Sequence, residues 1–74
     1  MTPEQIDTIF TYHRPFGTQQ IRYEMLRREA RDLARLINAE CPESREKALA
    51  LTNLQQAVMW ANAAIAINEK DPQP

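Results

Sequence analysis

Apolar positions recur at helical spacing over two long stretches of this chain. From Gln19 to about Glu40 there is neither proline nor glycine, and Leu26, Ala30, Leu33 and Ile37 follow one another at four- and three-residue steps. Such steps place the four side chains on one stripe of a helix of roughly six turns. Cys41-Pro42-Glu43-Ser44 breaks the pattern, and Ser44 is a natural N-cap for a further helix reaching about Asn68. Within that stretch Leu51, Leu54, Val58, Ala61 and Ile65 repeat the same spacing. Two long helices with matching stripes, joined by a few residues, fold back as an antiparallel hairpin.

A short helix over about 3–10 precedes them. Thr2 is its expected N-cap, Pro3 occupies the first helical position, and Gln5 is placed to reach back as in a capping box. Thr11 to Gly17 reads as a loop, because Pro15 drives Arg14 out of the helical region and Gly17, the one glycine, tolerates any backbone angle. Thr18 is then a plausible cap for the helix over 18–40, the third helix runs over 44–68, and residues 69–74 read as a frayed tail. The expected class is all-α: a short N-terminal helix followed by a two-helix antiparallel hairpin, forming one domain over 1–74.

The third helix carries more apolar residues than its stripe uses. Ala57, Met59, Trp60, Ala63, Ala64 and Ile67 lie outside it, so the last three turns are hydrophobic nearly all round, as in a helix covered on every side. The expectation is an oligomer built through this helix, with Met59, Trp60, Asn62, Ala63 and Ile67 at the interface. The competing expectation is that the first helix covers the surface within one chain, through Ile6, Ile9 and Phe10. Length favours the oligomer, since 74 residues support only one small core, worth about 3–5 kcal/mol. Cys41 is the single cysteine and His13 the single histidine, so neither an internal disulfide nor a zinc cluster supplements that core.

Charge narrows the partners. A net charge of −1 argues against a coat for long nucleic acid, which needs summed positive charge. Arg14, Arg22, Arg27, Arg28, Arg31, Arg35, Arg45 and Lys47 nonetheless gather in the middle of the chain, where an anion is best received. The acidic start has no secretory pattern, and the apolar run from Ala57 to Ile67 is too short for a bilayer, so a cytosolic protein with no membrane partner is expected. There is no paired nucleophile and base, no metal-ligand spacing and no phosphate-cradling glycine loop. The sequence therefore points to a binding protein rather than an enzyme, without cofactor or metal.

The residues best suited to a ligand are the loop Tyr12-His13-Arg14-Pro15-Phe16 and the arginine-rich helix after it. A flat base stacks on an aromatic ring or a guanidinium plane, and guanidinium forks hold phosphates through paired hydrogen bonds. Each element also has a plain structural reading. Tyr12 and Phe16 can plug the hairpin end, and the arginines can be a solvated face paired with Glu24 and Asp32 at helical spacing. Arg45 and Lys47 follow the Ser44 cap, where cations are out of place unless an anion binds there or Glu43 and Glu46 neutralise them. Asn62 interrupts an apolar belt and must find partners, either by setting a subunit register or by capping a ligand pocket.

Tyr12-His13-x-Pro15, Arg22-Tyr23, Cys41-Pro42-x-Ser44-Arg45-Glu46-Lys47-x-Leu49-Ala50-Leu51-Thr52 and Ala57-Val58-Met59-Trp60-Ala61-Asn62-Ala63 together resemble a known domain. It is the helical hairpin of phage anti-CBASS and Thoeris anti-defence sponge proteins, and the resemblance covers about residues 9 to 69. It implies a protein that binds cyclic nucleotide immune signals and holds them without cleavage in the cytoplasm of an infected bacterial host. It also implies homo-oligomers, often hexamers, with pockets between subunits. Cyclic di- and trinucleotides are the implied ligands on the CBASS side, and glycocyclic ADP-ribose on the Thoeris side. Carried onto this chain, the resemblance makes Tyr12 the stacking platform and Arg22, Arg27 and Arg45 the phosphate contacts. His13, Arg14 and Thr18 lend hydrogen bonds. The competing class is a small helical adaptor whose Met59–Trp60 surface meets another protein and which has no nucleotide ligand.

Overall fold

The computed structural model describes residues 1–72 and contains three helices, with no strand among the described residues. They are α1 (Pro3–Ile9), α2 (Gln19–Glu40) and α3 (Arg45–Asn68). α1 begins with the capping box: Thr2 Oγ1 accepts from the Gln5 amide at 3.1 Å, and the Thr2 amide donates to Gln5 Oε1 at 2.8 Å. α3 begins at Ser44, whose Oγ accepts from the Lys47 amide at 3.1 Å. Thr18 stands at the N-cap of α2 without a side-chain cap bond; its hydroxyl instead accepts from Nε of Arg22 at 3.1 Å.

α2 and α3 pack antiparallel, because bonds close both ends of the pair. At one end Gln19 and Arg22 reach Glu69; at the other the Lys47 ammonium donates to the Asn38 carbonyl at 2.9 Å. Lys47 is only 7% exposed and also pairs with Glu43. Its charge therefore complements the carbonyl end of α2, where a cation is favourable, although it sits in the first turn of α3, where it is not. That resolves why a lysine follows the Ser44 cap without invoking an anion.

Between the helices Tyr23, Leu26, Ala30, Ala34 and Ile37 of α2 meet Leu51, Leu54, Val58, Ala61 and Ile65 of α3, all of them half-buried. Ala34 replaces Leu33 in the stripe expected for α2, and Leu33 is exposed. Ala30 and Ala34 line the groove between the helices with Leu51, Leu54 and Val58, and Leu33 does not.

No hydrophobic side chain is fully buried among the described residues. The Cα trace measures 50 × 29 × 13 Å, a slab little more than one helix thick, whereas stable domains stack two layers around a core. Its radius of gyration is 15.8 Å, against about 11 Å for a compact chain of this length. The accessible surface is 6305 Å², where a folded monomer of this size exposes about 4,700 Å². α1 does not make up the difference. Ile6, Ile9 and Phe10 are themselves exposed, while Met59 remains 62% and Trp60 74% accessible, so α1 does not cover that surface within the chain. No helix among the described residues is long and apolar enough to cross a membrane.

Candidate functional site

The loop between α1 and α2 is held at both ends and leaves its aromatic tip open. On the α1 side, Nε2 of His13 donates to the Thr8 carbonyl at 2.6 Å, since a carbonyl can only accept, and the Thr11 hydroxyl donates to the Asp7 carbonyl. On the α2 side, Gln19 is 2% exposed and bonds in two directions. Its Oε1 accepts from the Phe16 amide and its Nε2 donates to Glu69 Oε1, both at 3.1 Å. Gly17 supplies the left-handed turn, with φ of 56°. Between these anchors Tyr12 is 82% exposed, whereas Phe16 is half-buried. The two aromatic residues thus divide the roles that sequence left open to both: Phe16 packs at the hairpin end and Tyr12 stands clear of it.

Arg22 is engaged within the chain. Its Nη1 and Nη2 donate to Oε2 and Oε1 of Glu69, each at 2.6 Å, in the paired geometry that guanidinium and carboxylate favour. The bonds from Arg22, seconded by Gln19, hold the Glu69 carboxyl down to about 2, and the Arg22 guanidinium is pushed up in return, chiefly by its bonds to Glu69. Glu69 therefore corrects the expectation of a frayed tail beginning at residue 69; Gln73 and Pro74 lie outside the described residues. A phosphate would have to compete with this carboxylate for the guanidinium fork.

Arg27, one turn further along, is exposed and pairs with Glu24. It borders an open apolar groove of about 370 Å³ between the long helices, with Ala30, Arg31, Ala34, Leu54 and Met59 among its walls. Arg14 and Arg45 are exposed. Arg45 opens α3 and so lies at the other end of the hairpin. At 1.5 Å per residue, the 24 residues of α3 span about 36 Å. Within one chain the fold gathers Tyr12, His13, Thr18, Arg22 and Arg27 at one end and leaves Arg45 remote from them.

A profile of the family described as Acb2/Tad1, hairpin domain, matches residues 2–66. The chain belongs to this family. It is the family of anti-CBASS and anti-Thoeris sponge proteins that the sequence resembles. No curated protein and no solved structure matches the chain. The stretch matched to the Acb2/Tad1 hairpin domain includes α1, the Tyr12 loop, all of α2 and α3 through Ala66, and it stops short of Glu69.

Gln19 and Glu69 are the residues at this end of the hairpin that sequence reasoning passed over. Glu69 had a legible signal: it lies four residues beyond Ile65, so it continues the stripe that faces α2, and an antiparallel pairing brings that position to the first turn of α2. Gln19 had none, since a glutamine at a helix start is ordinarily solvated.

Proposed function

We propose that this chain is a phage anti-defence sponge that binds cyclic nucleotide immune messengers and sequesters them without cleaving them. The messengers are the cyclic di- and trinucleotides of CBASS, met in the cytoplasm of an infected bacterial host. The family assignment supports the sponge role. The observation that carries the ligand end is the open Tyr12 ring, presented from a loop anchored on both sides and followed by a helix bearing Arg22 and Arg27. An aromatic ring held clear of the core is what a base needs for stacking, and guanidinium groups within a few turns are what its phosphates need. Arg27, exposed and paired with the neighbouring Glu24, is the first phosphate contact. Arg22 serves phosphate only as far as Glu69 yields, Arg14 and His13 border the Tyr12 tip, and Arg45 would belong to a pocket at the opposite end.

The working unit in this reading is a homo-oligomer, a hexamer by family resemblance, joined through the outward face of α3. Leu49, Asn53, Gln56, Trp60, Ala63 and Ile67 recur there at four-three steps, the spacing of a helix seam, and Trp60 and Met59 stand exposed. Large exposed apolar patches mark interaction surfaces. The excess of accessible surface over that of a compact monomer, roughly 1,600 Å² by the same scaling, is of the size that subunit contacts cover.

The test is a depletion experiment. Purified protein is mixed with cyclic dinucleotides, cyclic trinucleotides and glycocyclic ADP-ribose, the bound fraction is retained by filtration, and heat releases what it holds. Recovery of an intact cyclic di- or trinucleotide is the expected result. Recovery of glycocyclic ADP-ribose instead moves the protein to Thoeris signalling. Depletion of none of them leaves a protein-binding adaptor, and recovery of degraded nucleotide means that the protein is an enzyme.

A further inference from the structure

α1 is a helix of seven residues, none of them buried. No packing comparable to that of α2 on α3 joins it to either long helix. Its nearer side, with Thr8 and Ile9, looks onto Ile67 and Asn68 across an open cleft of about 570 Å³. Pro3, Ile6, Asp7 and Phe10 recur at helical steps on the other side, and Phe10 is 80% exposed. Isolated helices shorter than ~12–15 residues are marginal in water, so a capping box alone does not keep two turns folded. The Ile6–Phe10 side needs a cover.

The groove between the long helices has the matching shape. Its floor, with Ala30, Ala34 and Val58, is apolar, and the space above it is about 370 Å³. Exposed Arg27 and Arg31 stand along the α2 rim, opposite Gln55 and Met59 of α3. From Arg27 to Ala34 the groove runs about 10 Å, which is also the length of α1 at 1.5 Å per residue. Charge matches as well. α1 carries Glu4 and Asp7 and no basic residue, and neither acid has an ion pair among the described residues. Arg31 has none either, whereas Arg27 is already paired with Glu24. The chain's own α1 is not the occupant, because it lies beside Ile67 and Asn68, about 12 Å further along α3 than Met59.

We infer that the groove between α2 and α3 receives α1 of a second copy of the chain, with Ile6 and Phe10 on its floor and Asp7 against Arg31 on its rim. An amphipathic helix laid in an apolar groove through anchors at three- and four-residue steps is a common mode of recognition. The contact is distinct from the α3 seam through Trp60, so one copy can make both at once. It covers Met59, which lies off that seam. The inference rests on the homo-oligomer part of the reading above and is independent of the ligand.

The experiment uses the full chain with Phe10 replaced by the photoreactive p-benzoylphenylalanine, which keeps an aromatic ring at that position. Equal amounts of this protein and heavy-isotope-labelled wild type are mixed and irradiated, and the joined peptides are identified by mass spectrometry. Light scattering of wild type gives the assembly mass. The expected product joins residue 10 of one copy to the groove of a labelled copy, between residues 27 and 34 or between 51 and 59. An assembled protein whose position 10 joins its own chain, the α3 seam or nothing overturns the docking and leaves the homo-oligomer in place. A monomeric wild type removes both. If the photoreactive variant does not assemble, charge reversal decides. Asp7→Arg and Arg31→Glu should each raise the concentration at which the protein assembles by about two- to fivefold, and the double variant should recover most of the loss. Independent losses that add in the double variant overturn the inference.

Discussion

The carboxylate of Glu69, one residue past α3, closes on the guanidinium of Arg22 in the first turn of α2 through two bonds of 2.6 Å. Gln19 joins the same carboxylate to the backbone of Phe16, so the residue that follows α3 holds the end of the Tyr12 loop that runs into α2. A contact some fifty residues apart in sequence thereby positions a segment that offers few apolar contacts of its own.

This pairing makes stability depend on acid. The Glu69 carboxyl titrates near 4.5 when the chain is unfolded and about 2 when it is folded, so the unfolded state binds the proton first. The contribution is present in full above the unfolded value and is lost as pH falls from about 4.5 toward about 2. The expected outcome is a melting temperature for wild type above that of Glu69→Gln at neutral pH, with the gap closing across this window. Both groups are partly exposed, so the gap is modest and shrinks in high salt. Circular dichroism melts between pH 7 and 2 check it, and a gap that persists at the acid end argues against the assignment.

At the opposite end, Lys47 links the first turn of α3 to the last turn of α2. Lys47→Met keeps most of the apolar stem and removes the ammonium, leaving the Asn38 carbonyl without its donor. The expected loss is about 1–3 kcal/mol, read as a lower urea midpoint at constant m-value. A loss no larger than that of an exposed lysine on the same helix would mean that solvent reaches the Asn38 carbonyl.

Most of the helical framework was legible because its signals are local. The capping box at Thr2 and the Ser44 cap act over three residues, and the α3 stripe from Leu51 to Ile65 is a repeat within one element. What escaped depends on the partner helix. Leu33 and Ala34 are both compatible with the α2 repeat, and only the approach of α3 chooses between them. Lys47 reads as misplaced until α2 is seen to end beside it. Glu69 reads as tail until antiparallel pairing sets it against Arg22. At the ligand end, Tyr12 and Phe16 carried equivalent signals, and the bond from Gln19 to the Phe16 amide separates them.

Gly17 is required for its backbone alone. It adopts φ of 56°, and a Cβ placed there would meet no atom within 4 Å, so a substitution is opposed by conformation and not by contact. Gly17→Ala is expected to cost about 1 kcal/mol, and Gly17→Asn less, because asparagine tolerates the left-handed region. Thermal melts of the two variants decide it; equal losses would point to a clash in place of backbone strain.

The exposed Trp60 leads to the strongest expected effect. A hairpin one layer thick, with no fully buried hydrophobic side chain among its described residues, has little to hold it together alone, so subunit contacts and folding should be coupled. The melting temperature of wild type should then rise with protein concentration. Trp60→Glu places a charge in the middle of the outward face of α3, where pairing would desolvate it, and should yield monomers with markedly reduced helicity. Sedimentation equilibrium and circular dichroism on the two proteins test this together. A wild type that is monomeric with a concentration-independent melt would show that the hairpin stands on its own. The Met59–Trp60 surface would then be left to a different protein partner, as the adaptor reading requires.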